Sequence, residues 1–137
     1  MKGLEKYDAK IIIAWGEAIS GNSEIREWLL KNGYPELGIF CYALNNHAPS
    51  RQWLMNNNYP HFMAIINGIE RNEKALHWLG ANGYYILRNI ALAADGYETS
   101  LDWLELKHPG FAVLASKMSF VKIKIDDKNF DPHRINP

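Results

Sequence analysis

Trp28, Trp53, Trp78 and Trp103 stand at one constant interval of 25 residues, and each is followed by a leucine. A spacing kept four times marks one local structure built four times over, each copy setting the same side chains against the same kind of neighbour. Written in rows of that length, the chain reads EIREWLLKNGYPELGIFCYALNNHA, PSRQWLMNNNYPHFMAIINGIERNE, KALHWLGANGYYILRNIALAADGYE and TSLDWLELKHPGFAVLASKMSFVKI. The first three align without a gap. Ahead of them, YDAKIIIAWGEAISGNS matches the second half of a row, with Trp15 over Phe40, Ala18 over Ala43 and Ile19 over Leu44. The array therefore starts with half a repeat. The fourth row has Lys107-His108-Pro109-Gly110-Phe111 where the others carry Asn-Gly-Tyr or a near relative. The alignment places a one-residue insertion there and puts Phe111 in the tyrosine column.

Each row reads as two short helices. Ile25, Trp28, Leu29 and Asn32 have the i, i+3, i+4, i+7 spacing of an amphipathic helix, as do Tyr34, Leu37, Phe40, Cys41 and Leu44. Asn32-Gly33, Asn57-Asn58 and Asn82-Gly83 end the first helix, since glycine, and next asparagine, takes the left-handed conformation there most readily. Pro35 and Pro60 fall in the first turn of the second helix, where a missing N–H costs nothing. Asn45-Asn46, the stretch from Gly68 to Asn72, and Asp95-Gly96 supply the turn into the next row. Helices this short are marginal alone. Stacked, they share one core, and the small column Ala18, Ala43, Gly68 and Ala93 lets neighbours approach to about 8 Å.

The spacing predicts an all-α, right-handed α-solenoid of short antiparallel helix pairs over residues 1–119, followed by an extended tail over 120–137. All four period-25 tryptophans belong in its core, with Trp78 near Leu87, Ile65 and Ile90, and emptying Trp53 would cost roughly 3–5 kcal/mol. In the tail, FVKIKID alternates Val121, Ile123 and Ile125 with Lys122 and Lys124, the period of a half-buried strand. Such a strand either caps the last helix pair or pairs with the same segment of a second chain, so the protein is a monomer or a homodimer through a chain end.

Over residues 8 to about 118 this organisation resembles the α-solenoids, the class of HEAT, armadillo, tetratricopeptide and ankyrin arrays. EWLLKNGYPEL is similar to the end of an ankyrin repeat, where a leucine-rich helix runs into a glycine turn. The ankyrin Thr-Pro-Leu-His signature is missing, and the short period is closer to that of leucine-rich variant repeats, without their cysteine cluster. The resemblance implies an architecture and carries over no functional residue.

Charge and motifs narrow the function classes. Fifteen Lys and Arg balance fifteen Asp and Glu, so the basic excess that drives nucleic-acid or anionic-membrane binding is missing. The apolar run from Ile11 to Trp15 is too short for a membrane span or a signal-peptide core. One cysteine, Cys41, allows no internal disulfide and fits a reducing, cytoplasmic setting; its column also holds Gly16, Ile66 and Ala91, so it reads as a buried thiol. His47, His61, His77, His108 and His133 include no i, i+3 or i, i+4 metal pair. Asp127, Asn129 and Asp131 start like a calcium loop, but Pro132 stands where that loop needs glycine. With no phosphate loop, serine elbow or zinc-protease helix, no cofactor and no catalytic residue is expected.

The expected role is that of a non-catalytic protein-interaction scaffold, the identity of its protein partner lying beyond the sequence. Repeat arrays bind through columns that vary while the core columns hold. Glu17, Tyr42, Asn67 and Leu92, with Lys117 in the ungapped alignment, form the most variable column, and Ile13, Gly38, Met63 and Arg88 lie one turn earlier. From these, Glu17, Tyr42, Met63, Asn67, Arg88 and Leu92 are the candidate partner-binding residues. The alternative is a helical-repeat enzyme or nucleic-acid-binding module, which would need a concave cluster of acidic or basic side chains.

Overall fold

The computed structural model describes residues 2–129, and among them every regular element is a helix: nine helices and no strand. α1 (Ala9–Ile19) is followed by four pairs: α2 (Ser23–Lys31) with α3 (Pro35–Leu44), α4 (Ala48–Asn56) with α5 (Pro60–Ile69), α6 (Glu73–Ala81) with α7 (Tyr85–Ala94), and α8 (Glu98–Lys107) with α9 (Pro109–Asn129). The side chains of Asp8, Asn22 and Asn72 accept from the N–H groups of Ile11, Ile25 and Ala75, which caps α1, α2 and α6. Gly33, Asn58 and Gly83 take the left-handed conformation in the turn after the tryptophan helix.

The odd-numbered helices form an inner set. α1 packs on α3, α3 on α5, α5 on α7, α7 on α9, and α9 on α1, so their contacts run round a closed circuit. The even-numbered helices lie outside, each bridging two inner neighbours: α2 on α1 and α3, α4 on α3 and α5, α6 on α5 and α7, α8 on α7 and α9. The middle is solid. Trp15, Phe40, Ile65, Ile90 and Leu114 are fully buried, and Trp15 meets Phe40 edge-on at 5.1 Å and stacks on Phe62 at 5.5 Å.

The residue that anchors each outer helix is the leucine of the Trp-Leu pair and not the tryptophan. Leu29, Leu54, Leu79 and Leu104 have no exposure, whereas Trp28, Trp78 and Trp103 are 48%, 37% and 36% exposed and Trp53 is half-buried. Adjacent helical residues point about 100° apart, so a two-turn helix wedged between two others cannot bury both. The tryptophan goes to the flank and covers the next helix's entry: Trp28 stacks on Tyr34 at 6.3 Å, Trp53 on Tyr59 at 6.1 Å and Trp78 on Tyr84 at 5.8 Å. In place of the expected burial of Trp78 beside Ile65 and Ile90, its leucine neighbour takes the core site.

Two further expectations change. The fourth row lacks a residue instead of gaining one. Pro109 opens α9 as Pro35 opens α3, so His108, packed on Trp103 at 5.4 Å, takes the tyrosine place and the left-handed turn residue is the one deleted. Phe111 then corresponds to Leu37 and is buried. Residues 120–129 are also helical, continuing α9, and form neither strand nor extended tail. Val121 and Ile125 are four apart, and both pack on the core while Ile123 between them is exposed. Lys122 is hydrogen-bonded to the buried carboxylate of Asp95. Of the calcium-like residues, Asp127 lies in this helix and Asp131 falls outside the described residues.

Candidate partner-binding groove

The six candidate residues do not form one surface. Glu17 and Arg88 are exposed, Tyr42, Asn67 and Leu92 are partly covered, and Met63 is buried. Met63 is thereby corrected from surface to core. Its column faces the outer helices: a Cβ on Gly38, the matching position in α3, would lie 2.7 Å from Leu30 of α2. Tyr42 is engaged by its own repeat, with the Arg26 guanidinium 4.7 Å over its ring. Closure of the inner helices also removes the concave face on which a solenoid stripe would lie.

What closure creates is a seam. Each other pair of neighbouring inner helices carries an outer helix, but among the described residues none lies over α9 and α1. An apolar groove of about 600 Å³ runs there. Ile12, Phe111 and Leu114 form its floor, and Ile13 and Val113 stand on its walls with 67% and 54% of their surface exposed. Lys117 crosses the floor from α9 to α1, its Nζ 3.2 Å from both the Glu17 carboxylate and the Ser20 hydroxyl. Gly16 makes room for this crossing, since a Cβ there would sit 3.1 Å from the lysine stem. Glu17 is thus the one candidate residue that belongs to the groove. Ile13 signalled it in the sequence as an isoleucine on the variable face of a half repeat. Lys117 also stood in the variable column of Glu17 in the ungapped alignment, whereas the misplaced gap put Phe111 in the tyrosine column and hid Val113.

Of the chain ahead of α1, Tyr7 lines one end of this groove. Residues 2–8 cross the end of the bundle where the inner helices begin. The Lys2 ammonium lies 4.7 Å over the Tyr84 ring and donates to the Asn82 carbonyl, and Lys6 donates to the Tyr59 hydroxyl at 2.9 Å. Lys6 also pairs at 3.1 Å with Glu36, a fully buried carboxylate that accepts from the Tyr7 hydroxyl. Burial, then this bond, pushes the Tyr7 phenol well above its usual range. Burial alone would lower the Lys6 pKa; its bonds to Tyr59 and Glu36 outweigh that and raise it. Sequence reasoning passed over Glu36, although its column, with Ile11 and Ile86, is one where a carboxylate is out of place. In the same column His61 stacks on Tyr84 at 5.0 Å, and burial lowers its pKa, opposed by the Glu5 carboxylate and helped to a smaller extent by Lys6.

Elsewhere the chemistry is muted. Burial pushes the Cys41 thiol up to about 12, and the thiol donates to the Leu37 carbonyl, the setting of a structural cysteine. Among the described residues no three His, Cys, Asp or Glu side chains gather as a metal ion requires, and no helix is long and apolar enough to cross a membrane. Comparison with family models, curated proteins and solved structures finds no match.

Proposed function

We propose that this protein is a protein-interaction module of the helical-repeat kind, a solenoid turned tightly enough to close on itself, and that it docks its partner at the α1–α9 seam and not along the second-helix stripe. The observation that carries this reading is the pairing of exposed Ile13 and Val113 over a buried apolar floor. Isolated exposed apolar residues are ordinary, but a shaped apolar groove walled by two of them is a place for another molecule. The lone, buried Cys41 suits a reducing, cytoplasmic setting. Two variants test the site by affinity capture from the native host, Val113→Glu in the seam and the double change Tyr42→Ala and Arg88→Ala in the stripe. The proposal expects Val113→Glu to abolish capture and the double variant to retain it, both with the parent's thermal midpoint. The reverse pattern would return the site to the stripe.

A further inference from the structure

From the geometry of the four occupied grooves we infer what fits the fifth: a two-to-three-turn amphipathic helix of a partner protein, carrying the side-chain pattern of this chain's own outer helices. The inference rests on the docking reading above and names the occupant.

The four outer helices show what such a groove accepts. Each is 9 or 10 residues long. Each places a leucine, at Leu29, Leu54, Leu79 or Leu104, in full burial between its two inner helices. Four residues before that leucine stand Ile25, Ser50, Ala75 and Ser100, compact except for the first, and the last three are buried. Three before it stand Arg26, Arg51, Leu76 and Leu101, long side chains that are all partly covered: Arg51 donates to the Ala43 carbonyl of the preceding inner helix, whereas Arg26 lies over Tyr42 of the following one. In α6 the contact with the preceding inner helix is explicit, for Leu76 packs where a Cβ on Gly68 of α5 would be, 2.9 Å away. One place after the leucine, Leu30 presses on Gly38 of the following inner helix.

The seam repeats that template with its own residues. Ile12, Phe111 and Leu114 occupy the columns of Leu37 and Phe40, the core columns of every other groove, and so offer the floor on which the central leucine rests. Ile13 stands in the Gly38 column and meets the residue after that leucine, which must be apolar and small. Lys117 takes the place of the small residue Gly68. The side chain three before the leucine therefore lies beside the Lys117–Glu17 pair, where a long stem ending in a polar group fits. A second copy of this chain is the poorer occupant, because all its outer helices are already seated by fully buried leucines.

The test uses a synthetic fluorescein-labelled peptide of residues 72–83 carrying Leu76→Arg, which keeps the Asn72 cap and the turn of α6 and supplies the polar-ended stem three before Leu79, titrated against the full chain by fluorescence anisotropy. The inference expects saturable binding. It expects affinity at least tenfold weaker for the Val113→Glu chain, whose fold is checked by thermal melting, and for a peptide carrying Leu79→Glu, with methyl shifts confined to Ile12, Ile13, Val113 and Leu114. Binding that ignores both substitutions overturns it. A peptide that fails to bind, while Val113→Glu still abolishes capture of the native partner, overturns the helix and keeps the docking groove. Failure of the peptide together with undiminished capture removes both. Self-association by sedimentation that Val113→Glu abolishes assigns the groove to a second copy and overturns the inference.

Discussion

The groove between α5 and α7 and the groove between α9 and α1 are built from the same repeat columns, yet one is filled by α6 and the other stands open among the described residues. In the first, Leu79 has no exposure; in the second, Ile13 and Val113 are left with more than half of theirs. The contrast shows that the inner helices close without needing every outer one. What the outer helices add is cover for the groove floor, and each adds it mainly through one leucine.

The largest expected effect lies on the filled side. Leu79→Ala should cost about 2–5 kcal/mol in chemical denaturation, while Val113→Ala should stay within about 0.5 kcal/mol. Equal losses would mean that the seam is as well packed as its counterpart. Next comes the end of the bundle crossed by residues 2–8. Tyr7→Phe takes a donor from the buried Glu36 carboxylate and should cost about 1–3 kcal/mol. No loss there would show that these residues are not held over the inner helices, and would open that end as a rival to the seam. Trp78→Ala should then cost about 1–2 kcal/mol, less than its leucine neighbour, because it removes a half-exposed ring stacked on Tyr84. A tryptophan loss above the leucine loss would restore the tryptophans as the core column.

The smallest effect is the pH dependence of His61. Its folded pKa lies below the unfolded value near 6.5, so the unfolded chain binds the extra proton first. Its contribution is complete above pH 6.5 and declines as pH falls through the window between the two values. The thermal midpoint should drop on acidification through that window, and His61→Phe, which keeps the aromatic stack on Tyr84, should flatten part of the drop. An unchanged slope in His61→Phe would place the acid sensitivity elsewhere.

The helix pairs, their caps and the proline starts were legible in the sequence because they are local, set by residues a turn or two apart. The choice between Trp78 and Leu79 for the core was not, since either satisfies the period and only the width of the wedge decides. Val121, Ile123 and Ile125 read as a strand because spacings of two and four coincide over so short a run; the bond from Lys122 to Asp95 comes from another repeat and favours the helix. Closure was illegible for a similar reason. The rotation between successive repeats is a property of packing, and Lys117 and Glu17 are 100 residues apart. Glu17 and Ile13, on the variable face of α1, were the edge of the groove that the sequence made visible.

Closure of α9 on α1 is the claim on which the seam depends, and a methyl-detected nuclear Overhauser experiment on the intact chain tests it most directly. A methyl-sized step out from Gly16 ends 3.6 Å from Leu114 Cδ2, so the account predicts a cross-peak between the Gly16 α-protons and a Leu114 methyl group. An open array would hold these helices apart by up to four interaxial steps of about 8–10 Å each. With Leu114 methyl peaks to neighbouring α9 and α7 residues present and none to Gly16, the ring is open and the seam does not exist.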